Sequence, residues 1–331
     1  MAKNKILILA DNRVGTYSQA VALAQELQQP YEIIHLQYNK FVVLPNFIFG
    51  ASLLTITQES REKLLNIKDY PNLIISSGRR VAPIALYLKK LWNEQVKIVQ
   101  IMQPNLSFSK FDWVVLPKHD GILSDKFSNL ITTIGALVRV DKQRIAVDSE
   151  KFVQLFLDSK KNKIALLLGG DSKEGKFDKE SALKLAQLLS QVAQNMDATF
   201  FVLSSRRSGA TLENLVKSNL QCDYKFFAYE EVKNNNPYWA ILNECSYLVI
   251  TGDSVSMISE AVYLRKAVYI FDEKNISAKK HRRFHEELFA AGYAKKFDGD
   301  IKILQQFCNE KKGLNEVARV ALMFQKTHNF L

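Results

Sequence analysis

The stretch that decides the fold is Tyr247–Phe271, YLVITGDSVSMISEAVYLRKAVYIF. Tyr247 to Ile250 and Ala267 to Phe271 are short apolar runs of the kind a fully buried parallel strand requires, and a helical pattern lies between them. That is a βαβ unit. Thr251, Gly252, Asp253 and Ser254 break the apolar run at the carboxyl end of the first strand, where open α/β sheets take their ligands. Asp253 or Ser254 can cap the helix that follows. From about Val255 to Leu264 the spacing turns Val255, Ile258, Ala261 and Val262 inward and leaves Ser256, Ser259 and Glu260 nearer the exposed mouth. A helix start offers unpaired N–H groups and partial positive charge, so its small hydroxyl residues make a seat for phosphate. Glu260 lies too deep for a cap, but above such a seat its carboxylate is placed to accept hydrogen bonds from ribose hydroxyls. An ordinary capped helix with one solvated glutamate is the plainer account of the same residues.

Outward from this unit, the pattern of strand and polar turn repeats. In the C-terminal half, Lys163 to Leu168 lead into GGDSKEGKF, with Lys173, and Thr199 to Leu203 lead into SSRRSG. Arg206 and Arg207 there suit a diphosphate, against the simpler reading of a basic loop. NNNPYWAILNE opens a helix, with Asn236 as cap and Pro237 in the first turn. His281 and His285 have helix-face spacing, but Arg282 and Arg283 lie between them and no further ligands are evident, so no metal is expected.

In the N-terminal half, Lys5 to Ala10 form a strand followed by DNRVG, with Asp11 at its end and Arg13 as a candidate anion contact. Only Gly15 of a glycine-rich dinucleotide fingerprint is present, which argues against a nicotinamide or flavin enzyme. Arg79 and Arg80 in SSGRRVAP start a helix, where cations are poor dipole partners, so a bound anion or an acidic neighbour is expected for Arg79. His119 beside Asp120 in PKHD is a candidate general base with an adjacent carboxylate, although a surface histidine is the commoner outcome. The segment FVVLPNFIFGASLLTI, residues 41–56, is apolar yet interrupted by proline and glycine. Beside Lys40, Arg61 and Lys63 it suits an anionic membrane surface as well as it suits packing on its own domain.

With 331 residues, 47% of them hydrophobic and 24% charged, the chain is long enough for two domains with separate cores. The expected division is an N-terminal domain at 1–140, a polar linker at 141–160, a C-terminal domain at 161–312 and a final helix at 313–331 packing back near the junction. A formal charge of +11 favours anionic partners without choosing among them. Cys222, Cys245 and Cys308 form no CxxC pair, so neither a disulfide framework nor a zinc knuckle is suggested. The start MAKNKILILAD enters a strand directly, and no apolar run reaches the length of a membrane span. A cytoplasmic protein, peripheral at the inner face of the membrane, is expected.

Taken together, DNRVG, SSGRRVAP, FDWVVLPKHD, TIGAL, LLGGDSK, LSSRR, NNPYW, TGDSVSMISEA, RRFH and LNEVARVA resemble the mitochondrial-fission ELM family over nearly the whole chain. The resemblance implies an α/β protein of two Rossmann-like domains facing a cleft, GT-B-like, and its bacterial branch implies glycosyltransferase chemistry. The sequence departs from the family where Gln103, Pro104, Asn105 stand for a QDP triplet and where Gly169, Gly170, Asp171, Ser172 stand for GGPS. In GT-B enzymes the donor nucleotide lies on the C-terminal domain with a glutamate on the ribose, the kind of place Glu260 occupies. The expected activity is metal-independent transfer of a sugar from a nucleotide-activated donor to an acceptor hydroxyl, on a lipid-linked or other glycan acceptor. The nucleotide sugar is then a co-substrate and no cofactor is required. Lys173, Arg206, Asp253, Ser254, Ser256 and Glu260 would bind the donor, Arg13 and Arg79 the acceptor or an anion, and Asp11, His119 or Asp120 would take the acceptor proton. A non-catalytic membrane-surface adaptor on the same fold is the alternative. A dinucleotide-dependent epimerase or dehydrogenase is disfavoured by the missing glycines, and nucleic acid as a partner rests on net charge alone.

Overall fold

The structure, a computed structural model, describes residues 5–122, 126–172, 175–300 and 313–327. It divides into two compact units, one running to Arg139 and resuming at Asn315, the other Val140–Leu314.

In the first unit the elements are β1 (Ile6–Ala10), α1 (Val14–Glu26), β2 (Tyr31–His35), α2 (Asn46–Phe49), α3 (Gln58–Leu65), β3 (Leu73–Ser77), α4 (Ala82–Leu91), β4 (Lys97–Ile101), β5 (Trp113–Pro117) and β6 (Leu130–Thr133). The strands pair in parallel in the order β2-β1-β3-β4-β5-β6. Alternate side chains go to opposite faces, and in the inner strands both faces are covered, which explains why β1 is apolar along its whole length while the edge strand β2, with Glu32 and His35, is largely exposed. Leu7, Leu9, Ile74 and Val114 pack with Ile84 and Leu88 of α4. Ile6, Ile8, Ile75 and Val115 pack with Leu23 of α1 and with Val317, Val320 and Phe324 of the C-terminal helix, Glu316–Thr327. That helix belongs to the first unit, and Glu316 Oε2 accepts from the Ile134 N–H at 3.0 Å.

In the second unit the elements are α5 (Lys142–Lys151), β7 (Asn162–Leu168), α6 (Lys179–Met196), β8 (Ala198–Ser204), α7 (Gly209–Asn219), β9 (Tyr224–Phe227), α8 (Tyr229–Val232), α9 (Tyr238–Glu244), β10 (Tyr247–Thr251), α10 (Val255–Tyr263), β11 (Ala267–Phe271), α11 (Lys279–Ala290) and β12 (Lys295–Lys296). These strands are also parallel, in the order β12-β11-β10-β7-β8-β9. The stretch 141–160, read from sequence as a linker, folds onto this unit. Asp141 caps α5 by accepting from the N–H groups of Gln143 and Arg144, and Phe156 is buried against Phe201 with ring centroids 4.7 Å apart. Its polarity is that of a helix with one covered face.

The strand orders fix where ligands can sit. Connections leave β1 and β3 on opposite sides of the first sheet, and β7 and β10 on opposite sides of the second, so a topological switch point lies between each pair. The loops that follow β1, β3 and β10 contain the candidates Asp11, Arg13, Arg79, Asp253 and Ser254. No helix among the described residues is long and apolar enough to cross a membrane.

Candidate functional site

At the second switch point the loops after β7, β8 and β10 are stapled together. The Gly169 N–H donates to Thr251 Oγ1 at 2.8 Å, and that hydroxyl donates to Asp253 Oδ1 at 2.6 Å. The other oxygen, Oδ2, accepts from the Gly170 N–H at 3.1 Å and pairs with Arg207 Nη2 at 2.6 Å. Ser208 Oγ lies 2.9 Å from Leu168 O and 2.5 Å from Gly169 O. Two glycines are required here by space: a Cβ on Gly169 would fall 2.1 Å from Asp253 Oδ1, and one on Gly170 would fall 2.0 Å from the Arg207 carbonyl oxygen. Burial raises the Asp253 carboxyl above its ordinary range, with Arg207, Thr251 and the Gly170 N–H acting in the opposite direction.

This arrangement changes the expected roles of three residues. Asp253, expected on the nucleotide, is buried with both oxygens committed to the staple. It does not cap α10, and neither does Ser254, which stands at the cap position without a side-chain hydrogen bond. Among the described residues, neither of these side chains caps the first turn of α10. Arg206 is exposed on the turn after β8, while its neighbour Arg207 takes the ion pair. Ser256 is half-buried in the first turn of α10, whereas Ser259, expected at the mouth, is buried. Lys173 lies outside the described residues. His285, read only as a metal candidate, is buried beneath the turn, with Nε2 2.9 Å from Gly252 O and Nδ1 3.2 Å from Asp272 Oδ2.

Glu260 sits in the second turn of α10, half-buried, and its Oε2 accepts a hydrogen bond from the Tyr238 hydroxyl. Desolvation pushes its carboxyl up to about 7, against the Tyr238 hydrogen bond and the charge of Arg144, which act to lower it. Tyr238 opens α9, and Arg144 of α5 lies over the ring of Trp239 at 5.9 Å. No motif in the sequence links Tyr238 or Arg144 to Glu260. They meet because α9 packs on β7 and α10 on β10, neighbouring strands of the sheet, and α5 packs on α9.

At the first switch point, Asp11 is fully buried at the end of β1. Its Oδ2 accepts from Arg13 Nε at 2.8 Å and Nη2 at 2.5 Å, and Arg80 Nη1 lies 3.6 Å from Oδ1. The acidic neighbour expected for the SSGRR arginines is thus present, but Arg80 faces it. Arg79 turns away, and its Nη1 donates to Leu44 O at 3.3 Å. Gly78, at φ 83° and with Thr16 Cγ2 2.9 Å from where a Cβ would lie, lets this turn close over α1. His119 is buried and Asp120 half-buried in a short turn of 3₁₀ helix after β5, at the same sheet edge.

Two parallel sheets, each with charged or hydroxyl residues gathered at a switch point, are common to many folds of this class, and likeness to other proteins narrows the choice. A family model described as mitochondrial fission ELM1 matches residues 14–326. The chain belongs to the mitochondrial fission ELM1 family. An uncharacterized protein of Rickettsia prowazekii is 32% identical over 97% of this chain and 99% of its own length. The mitochondrial fission protein ELM1 of Arabidopsis thaliana is 24% identical over 70% of this chain and 58% of its own length. Among solved structures, the UDP-GlcNAc 2-epimerase of Methanocaldococcus jannaschii superposes with a TM-score of 0.58 at 14% identity, covering 97% of this chain and 99% of that one. The epimerase of Neisseria meningitidis, bound to UDP-GlcNAc, gives 0.56 at 12% identity over 98% and 100% of the two chains. A UDP-glucosyltransferase of Polygonum tinctorium gives 0.55 at 7% identity over 98% of each. This ELM1-family chain therefore has the GT-B-like fold, two Rossmann-like α/β units.

Proposed function

We propose that the second unit binds a nucleotide-activated sugar and that the protein transfers the sugar to an acceptor hydroxyl, on a lipid-linked or other glycan acceptor. The observation that carries this reading is Glu260, a carboxylate anchored through one oxygen by Tyr238 and placed one turn above a helix start, at the switch point, that Ser254 does not cap. Anchoring Oε2 leaves Oε1 as an oriented acceptor for a ribose hydroxyl. The first turn of α10, with Ser254 and Ser256, would hold the diphosphate, and Arg206 would add charge as it departs. Asp253 contributes indirectly, by fixing the turn that presents the helix.

In the transfer, the acceptor oxygen bonds to the anomeric carbon as that carbon's bond to the diphosphate oxygen breaks. The electron pair leaves with the nucleoside diphosphate, and the acceptor proton goes to a base. Asp11, His119 and Asp120, all at the carboxyl edge of the first sheet, are the candidates, with Arg13 and Arg79 as anion contacts. The neighbours named for UDP-GlcNAc epimerisation and for glucosyl transfer share a nucleotide-sugar substrate, and that coarser property is the best supported.

A thermal-shift series with nucleoside diphosphates and their sugars tests the donor site. Stabilisation that Glu260→Ala weakens is expected, and no stabilisation by any of them would end the proposal. Conversion of a bound donor without acceptor would move the reading to epimerisation. A non-catalytic adaptor has its own support, because the Arabidopsis relative is named for mitochondrial fission rather than for a reaction. An adaptor tolerates loss of Glu260 and requires the apolar loop of the first unit.

A further inference from the structure

From Ile33 to Gln58 the chain carries no carboxylate. Within this run Phe41, Val43, Leu44, Phe47, Ile48 and Leu54 are exposed, with Phe47 at 78%, Val43 at 71% and Ile48 at 56%. A loop of this composition in water would ordinarily fold its apolar side chains inward. Here the backbone is pinned from beneath by polar anchors. Buried Asn46 donates from Nδ2 to Arg79 O and to Pro104 O, both at 2.6 Å. Asn39 Nδ2 donates to Leu54 O at 2.7 Å and Ile56 O at 3.0 Å, and the Ser52 N–H donates to Pro83 O at 3.1 Å. With Asn46 turned inward, its helix neighbours Phe47 and Ile48 are held outward.

Cations surround the apolar tip. Lys40 Nζ lies 5.7 Å from the Phe41 ring centroid, Arg79 Nη1 donates to Leu44 O at 3.3 Å, and Arg61 Nε donates to Leu53 O at 3.0 Å. Each guanidinium keeps further N–H donors for an anion. An apolar tip with a cationic collar, on a run from 33 to 58 without a carboxylate, matches the interface of an anionic bilayer, where acyl chains lie below a layer of phosphates.

We propose that the loop 41–54 docks the first unit on an anionic lipid surface, with Val43, Phe47 and Ile48 entering the acyl boundary and Lys40, Arg61 and Arg79 meeting lipid phosphates. The inference rests on the first unit alone and stands whether or not the second unit transfers sugar.

The test uses the full-length chain and vesicles of phosphatidylcholine with or without phosphatidylglycerol. Co-sedimentation with the anionic vesicles is expected, weakening as salt is raised. The exposed double variant Phe47→Ser/Ile48→Ser is expected to lose affinity by about tenfold or more without a lower melting temperature. A Phe47→Trp variant gives a second readout: the emission of the introduced indole shifts to the blue on anionic vesicles if the tip enters the acyl boundary. Failure of the native chain to bind anionic vesicles would overturn the proposal, as would equal binding by the double variant or an unshifted emission from the Phe47→Trp variant. Sedimentation velocity showing a dimer that the double variant dissociates would assign the patch to a second copy of the chain instead.

Discussion

Tyr238 and Glu260, 22 positions apart, form a hydrogen-bonded pair in which the phenol donates to a half-buried carboxylate. The pair joins the start of α9 to the second turn of α10. It converts a helix glutamate into an oriented acceptor whose titration should be visible in both stability and binding.

Burial pushes Glu260 from 4.5 up to about 7. Between those values the folded chain holds a proton that the unfolded chain has released, so the stability contributed by the neutral carboxyl is fully present below the lower value. It is lost as pH rises through the upper one. Glu260→Gln, which keeps the neutral shape, is expected to flatten this slope by on the order of 2 kcal/mol between the two limits. Urea denaturation of both proteins across that range measures it, and parallel slopes would contradict the assignment.

Nucleoside diphosphate binding is expected to strengthen as pH rises through about 7, as Glu260 ionises and becomes a better acceptor. Glu260→Gln retains only the titration of the ligand's own phosphate, so the difference between the two binding profiles isolates the carboxyl. Tyr238→Phe removes a hydrogen bond that holds this carboxyl down, and the midpoint of the difference profile is expected to move upward. Isothermal titration calorimetry at several pH values decides this, and an unmoved midpoint would separate Tyr238 from the site.

Asp253→Ala is expected to destabilise the chain by about 3 kcal/mol, because it leaves the Arg207 guanidinium, the Gly170 N–H and the Thr251 hydroxyl without their shared partner. Chemical denaturation measures the loss. A cost under about 1 kcal/mol, with nucleotide binding abolished, would return Asp253 to direct ligand contact.

Gly170→Ala is expected to cost more stability than Gly169→Ala. At Gly170 the added methyl group meets the backbone of Arg207 at 2.0 Å, whereas at Gly169 it meets the carboxylate of a side chain. Melting temperatures of the two variants give the order, and the reverse order would show that Asp253 is the less movable of the two obstacles.

Asn46→Ala removes two hydrogen bonds from a buried amide to the carbonyls of Arg79 and Pro104 and is expected to cost about 2 kcal/mol. If the loop's outward set depends on that amide, the variant also loses affinity for anionic vesicles, a change that co-sedimentation records.

The strands and the loops between them are legible in the sequence, because a strand covered on both faces must be apolar and its ends must turn polar. The βαβ unit at Tyr247–Phe271 and the restart of the pattern at Lys163 follow from this alone. The polar stretch at 141–160, read as a linker, groups with the second unit and carries α5, because composition reports the exposed face of a helix as readily as it reports a connecting segment. Residue type and position assign Asp253 and Arg206 alike to a ligand. Their real difference lies in distance, with Asp253 bound into the staple, Arg207 paired to it and Arg206 left exposed.

Local order along the chain, then, determined the parallel α/β class, the two halves, the family and the set of loops able to carry chemistry, since each depends on runs of a few neighbouring residues. Only the tertiary structure decided which loops adjoin. Strand order brings the turn after β7 against the turn after β10 across 82 positions, and the fold sets Tyr238 on Glu260 across 22. Such pairings depend on long-range packing and on geometry at the scale of a hydrogen bond, which the identities of the residues do not encode singly.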